Sequence, residues 1–199
     1  MISIIINWVC SNYLEIIGFV LGIVGVWLTI KQNIWCWPVS LIGVVIYIYI
    51  FFVSKLYADF GLQIFYFFMT IYGWHYWLHG GQGHQSLEII SRITKKQIII
   101  FLIIGIAAQT ILGYILNKYT DAAFPYWDSV VGIWGIIGTY MLAKKILENW
   151  IAWIIIDIMC VAIYFFKELY LTSILYLIFA LLAVIGYFNW RKDLLKQEI

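Results

Sequence analysis

Charge is what this chain has least of. Of its 199 residues 11% are charged and 65% hydrophobic, and the mean hydropathy is +0.96. No soluble core could hide that much apolar surface at this length, which excludes a soluble globular domain. Cysteine is nearly as scarce. Cys10, Cys36 and Cys160 sit in an N-terminal segment, at a loop edge and inside a helix, which suggests neither a disulfide framework nor a metal motif. The N-terminus, MISIIINWVCSNYLE, lacks a basic n-region, so no signal peptide is expected and the first crossing should remain in the mature protein. Also missing are an activated nucleophile, a phosphate-binding loop and a convincing metal cluster. Neither an enzyme nor a cofactor nor a nucleic-acid partner is expected. The net charge of +2 says little; the placement of the charges says more.

What remains is a series of long uncharged runs, each close to the ~20 residues that cross a hydrocarbon core. The fold expected is all-α and membrane-embedded, with seven transmembrane helices over 14–31, 36–54, 57–78, 97–117, 128–146, 150–167 and 170–191. On the N-terminal side of the membrane lie Lys55, Lys118 and Lys167. Opposite them lie Lys31, Arg92, Lys95, Lys96, Lys144, Lys145, Arg191, Lys192 and Lys196. Three against nine places the N-terminus outside and the C-terminus in the cytoplasm by the positive-inside rule.

Shifting the sequence by 113 residues, without a gap, aligns it with itself. Gly22 meets Gly135, Gly25 meets Gly138, Lys31 meets Lys144, and Trp37 meets Trp150. Tyr57 meets Tyr170, Gly73 meets Gly186, and Trp77 meets Trp190. One period covers four helices, so the copies run in the same direction. The expected organisation is a 3+1+3 parallel repeat: 14–78, a linker helix at 97–117, and 128–191. Such repeats place a substrate site near the midplane.

Asp157 is an expensive residue in this setting, costing roughly 2.5–3.5 kcal/mol at a bilayer centre if ionised. Trp150, Trp153 and Asp157 recur at i, i+3 and i+7 and so share a helix face. Asp157 lies ~10 Å in from one end of its helix and Gln63 ~9 Å in from the opposite end of another, which puts both toward the middle third of the core. Gln63 shares a face with Asp59 and Tyr66. A carboxylate beside two indoles suits a flat cationic ring, through Coulomb attraction and cation–π contact. Gln63 offers a donor and an acceptor, and Tyr66, Tyr164 and Tyr176 offer hydroxyls.

Plainer roles compete. Trp37, Trp74, Trp77, Trp127 and Trp190 fall at helix ends, where interfacial anchoring is the default, and Trp150 could join them. Gln63 could be helix–helix glue, and Asp157 a structural carboxylate paired with a Lys or Tyr. Asp59 and Asp128 suit capped or solvated helix ends. His75, His79 and His84 are loosely clustered among glycines, a poor metal site. The faces Gly18, Gly22, Gly25 and Gly132, Gly135, Gly138 suit close helix packing.

The stretches NIWCWPVSLIG, KLYADFGLQIFYFF with IYGWHYW, and ENWIAWIIID with KELYLTSILY and GYFNW resemble the Pnu vitamin transporter family, most closely its PnuC branch. The resemblance runs from about residue 14 to 191. It implies a SWEET-like 3+1+3 fold, a homotrimer in the bacterial cytoplasmic (inner) membrane, and facilitated diffusion of an unphosphorylated vitamin trapped inside by a cytoplasmic kinase. The branch implies nicotinamide riboside and a link to NAD biosynthesis; relatives in the family carry thiamine or riboflavin. The family's binding motifs match Trp150, Trp153, Asp157, Gln63 and Tyr66. Nicotinamide riboside and thiamine both carry flat cations, and the residues do not choose between them. Proton-coupled transport and a non-transporting membrane sensor stay open as alternatives.

Overall fold

The structure is a computed structural model that describes residues 13–53, 57–79, 89–121, 124–166, 168 and 170–197. Cys10, Lys55, His84 and Lys167 lie outside the described residues, as does 80–88 of the glycine-rich stretch. Seven helices are described: α1 (Tyr13–Ile30), α2 (Cys36–Val53), α3 (Tyr57–His79), α4 (Lys95–Tyr119), α5 (Pro125–Ala143), α6 (Asn149–Phe166) and α7 (Tyr170–Gln197). Four stretches, Cys36–Val53, Lys95–Tyr119, Asn149–Phe166 and Thr172–Gln197, are long and apolar enough to cross a membrane, and Ile16–Ile30 is apolar but shorter. The chain forms two compact units, Met1–His79 and Gly80–Ile199.

Helix ends differ from expectation where local chemistry decides them. α5 begins at Pro125 rather than 128, because proline's fixed φ and missing N–H suit the first helical turn. It stops at Ala143 rather than 146, because Lys145 adopts a left-handed φ of 50°. α4 starts at Lys95 on a reciprocal cap. The Thr94 hydroxyl accepts the Gln97 N–H, and the Gln97 side chain accepts the Thr94 N–H. α7 runs on to Gln197, six residues past the expected end, through Arg191 and Lys192.

Within the first unit α1 packs on α2 through small residues. A Cβ on Gly18 would lie 3.0 Å from the Tyr47 ring, and one on Gly25 would lie 2.9 Å from Ser40 Oγ. Within the second unit α4 lies on α5. The Trp134 ring sits over Gly105, Tyr126 sits over Gly113, and Trp134 Nε1 donates to Gln109 Oε1 at 2.6 Å. The outer faces stay apolar: Ile99, Ile103, Ile104 and Ile111 of α4 are exposed, as residues facing lipid must be.

The 113-residue offset reappears in local geometry. It carries the bounds of α2 onto those of α6 and the start of α3 onto that of α7. The α1–α2 and α5–α6 turns share one hydrogen-bond pattern, a Schellman closure. Gln32 (φ 53°) donates to Thr29 O and Asn33 to Leu28 O, both at 2.9 Å; Lys145 donates to Leu142 O and Ile146 to Met141 O, also at 2.9 Å. Holding a non-glycine residue left-handed costs about 1–2 kcal/mol at each turn. Lys31 lies over the Trp27 ring at 5.2 Å and Lys144 over the Tyr140 ring at 5.9 Å.

Candidate functional site

In the first unit α2, and in the second α6, opens with a tryptophan sunk into its neighbour. Trp37 fills the notch at Gly73 of α3 and meets Trp77 edge-on, with centroids 5.4 Å apart at 84°. Trp150 fills the notch at Gly186 of α7 and meets Trp190 in the same way, at 5.4 Å and 89°. Trp37, Trp77 and Trp190 are therefore buried in their own units rather than set at an interface, because each glycine leaves a slot that an indole fills. Trp127 is exposed, as an anchor would be, and Trp74 is partly so.

Trp150 is 2% exposed and turned toward α7, whereas Trp153 is half-buried and turned toward α5. A Cβ on Gly138 would lie 3.4 Å from the Trp153 indole. The two indoles thus serve different neighbours although their spacing puts them on one side of α6. In this structure Trp150 is inside the packing between α6 and α7.

Asp157 follows one turn after Trp153 on α6. Its side chain is 4% exposed, and it forms no ion pair or hydrogen bond with another described residue. Two tyrosines lie further along. The rings of Tyr164 on α6 and Tyr176 on α7 stack with centroids 5.2 Å apart at 9°. Cys160, one turn after Asp157, is buried on the same helix. Ser173 Oγ donates to Val161 O at 2.9 Å and ties α7 to α6 beside the tyrosines. The second unit therefore brings Trp153, Asp157, Tyr164 and Tyr176 onto one stretch of α6 and α7, with Cys160 among them. The sequence reading missed Cys160, which sits one turn beyond Asp157. It also missed the Trp150–Gly186–Trp190 packing, although all three residues were among those matched by the offset.

Gln63 and Tyr66 belong to the first unit, one turn apart on α3 and both half-buried. The Gln63 side chain has no hydrogen-bond partner among the described residues, while Tyr66's carbonyl accepts the Thr70 hydroxyl at 2.7 Å. His75 and His79 are exposed, their rings 4.7 Å apart.

The second unit thus sets a buried carboxyl group, an indole and two stacked phenols along one stretch of α6 and α7. Residues 12–192 match the family described as nicotinamide mononucleotide transporter. The chain is 25% identical over 203 residues to the nicotinamide riboside transporter PnuC of Escherichia coli (strain K12), covering 90% of this chain and 85% of that one. It is 23% identical over 188 residues to the riboflavin/roseoflavin transporter RibM of Streptomyces davaonensis, covering 90% and 86%. A crystal structure of the vitamin B3 transporter PnuC superposes with a TM-score of 0.75 at 21% identity, covering 98% of this chain and 87% of that one. The fold is thus that of a solved transporter.

Proposed function

The chain belongs to the nicotinamide mononucleotide transporter family, and from that premise we propose that it takes up an unphosphorylated cationic vitamin, nicotinamide riboside, by facilitated diffusion across the bacterial cytoplasmic membrane. The observation that carries this is Asp157, a 4%-exposed carboxylate with no ion-pair partner among the described residues. A pyridinium ring supplies the missing positive charge, with Trp153 as the stacking face. Trp153, Asp157, Tyr164 and Tyr176 are assigned to binding, and Gln63 and Tyr66 to hydrogen bonds with the uncharged part of a substrate. Trp150, although matching the family's motif, is given the role of holding α6 on α7.

The family is named for the mononucleotide, and charge argues for the riboside. A phosphate is most strongly held by lysine or arginine. On the described helices these lie toward the ends: Lys95 and Lys96 open α4, Lys118 is in its last turn, and Arg191, Lys192 and Lys196 fall within the last seven residues of α7. Riboflavin is uncharged and gains nothing from Asp157. Thiamine carries a thiazolium and fits the same chemistry.

The architecture proposed is the 3+1+3 repeat of 14–78, 97–117 and 128–191. The matching helix bounds, Schellman turns and paired indoles support it. All seven helices are proposed to cross, with the N-terminus out and the C-terminus in, in a homotrimer whose substrate is trapped by a cytoplasmic kinase. Access alternates as the repeats move.

Proteoliposomes carrying the purified protein should take up labelled nicotinamide riboside down its gradient, with unlabelled thiamine a weak competitor. Uptake that collapses with a protonophore would replace diffusion by proton coupling. Uptake of thiamine but not the riboside would change the substrate.

A second measurement separates binding from packing. Trp153→Ala should weaken riboside binding by roughly 10- to 30-fold, the worth of a lost desolvated cation–π contact, with a smaller fall in melting temperature than Trp77→Ala because Trp153 is only half-buried. Trp77→Ala should lower the melting temperature and leave affinity close to wild type, because Trp77 is buried against Trp37. Equal losses of affinity would undo this assignment.

A further inference from the structure

The two matching turns differ in one respect. In the second unit a short extended segment, residues 90–93, lies along the α5–α6 turn. Ser91 donates to Lys145 O at 3.0 Å and its carbonyl accepts the Leu147 N–H at 2.9 Å, a parallel bridge centred on Ile146. The Ile93 N–H donates to the Glu148 carboxylate at 2.8 Å, and the Ile90 N–H donates to Gln197 Oε1 at 3.1 Å. Ile90, Ile146 and Leu147 are buried beneath this layer.

In the first unit the equivalent positions are Asn33, Ile34 and Trp35. Among the described residues no strand lies on that turn, and Trp35, which stands where Glu148 stands, is 64% exposed. The difference is written in the sequence: one repeat has a carboxylate able to grip a passing backbone and the other an indole.

Glu148 also sits immediately before α6, where its carbonyl accepts the Ile151 and Ala152 N–H groups. The segment it grips leads directly through the Thr94 cap into α4. One residue therefore ties the linker helix to the start of the helix that carries Trp153 and Asp157. Trp134 and Gln109 tie α4 to α5 further along.

We propose that residues 90–93 form a strap that stays paired with the α5–α6 turn throughout the transport cycle, clasped by Glu148, so that α4 moves with α5–α7 as one body. Glu148 is a positioning residue in this arrangement. It touches no substrate and fixes where α6 begins.

A disulfide tests whether the strap opens. Ser91 and Ile146 are opposed across the bridge, and adjacent strands ~4.8 Å apart fall in the Cα range a disulfide spans. The Ser91→Cys/Ile146→Cys variant is oxidised, reconstituted in liposomes and assayed for labelled nicotinamide riboside uptake before and after reduction. Oxidised and reduced protein should agree within about twofold, since a bond inside one rigid body does not impede transport. A larger loss that reductant restores means the strap opens, and overturns the proposal.

Uptake absent in both states bears on the substrate or on folding of the variant, and amide exchange on the wild-type protein then decides. The Ser91, Ile93 and Leu147 amides should exchange equally slowly with and without riboside or thiamine. Faster exchange on adding either vitamin overturns the strap. Glu148→Gln, which keeps an acceptor oxygen, should preserve Ile93 protection, and Glu148→Leu should lose it. Equal protection in both variants would remove Glu148 from the clasp.

Discussion

Asp157→Asn is expected to weaken binding of a cationic vitamin by about 1.5–3 kcal/mol, the worth of a charge-assisted contact. In dissociation constant that is roughly 10- to 100-fold. Asparagine has the same shape, so the α6–α7 packing that surrounds the site has no reason to change. Removing a buried carboxylate that no described cation balances also removes a desolvation penalty, so the melting temperature should hold or rise. The loss should depend on substrate charge. A neutral flavin should bind the variant as well as it binds wild type, which raises the relative preference for riboflavin. Titration of purified protein with nicotinamide riboside and riboflavin measures both arms. Loss of folding, with binding intact in whatever protein survives, would make Asp157 a structural carboxylate.

The fold was largely legible in the sequence because lipid imposes a simple grammar. Seven apolar runs broken by Lys31-Gln32-Asn33, Lys144-Lys145 and Lys167-Glu168 allow few readings; six helices have ends within three residues of those expected, and α7 alone runs six residues on. Where α4 and α5 differ from expectation, the deciding information was a cap or a dihedral angle. Pro125 moved one start, Thr94 and Gln97 another, and Lys145 moved an end. The site was less legible. Hydropathy and spacing single out Asp157 as a costly charge and Trp153 as its neighbour. They do not say which adjacent helix each indole meets. Trp150 turns toward α7 because Gly186 leaves room there, and Trp153 toward α5 because Gly138 does. Gly138 is visible in the sequence as part of a packing face, and Gly186 only as the match of Gly73. Their partners depend on which helix lies alongside, and one-dimensional periodicity does not carry that. The strap was invisible for a related reason: a two-bond bridge between residues 91 and 146 leaves no periodic trace.

The matched glycines lead to the largest expected effect on stability. Gly73→Ala should destabilise the protein by about 1–3 kcal/mol, because the new methyl would run into the Trp37 ring, and an overpacked core must shift to admit it. Gly186→Ala should cost a similar amount, its methyl lying 2.7 Å from three atoms of the Trp150 ring. Neither collision is with the flexible end of a side chain. Each indole is held edge-on by a second tryptophan and has nowhere to turn. Gly61 is the control on the same helix as Gly73. A Cβ there meets nothing within 4 Å, so Gly61→Ala should be neutral or stabilise by up to about 1 kcal/mol through helix propensity. Combining Gly186→Ala with Trp150→Phe should recover part of the loss, because the smaller ring vacates the space the methyl needs; a double-mutant cycle of melting temperatures isolates that coupling. If both glycine variants melt like Gly61→Ala, the tryptophans are not the fixed walls described here. Trp150 would then be free to leave its slot, and its place beside Asp157 as a second stacking face would have to be restored.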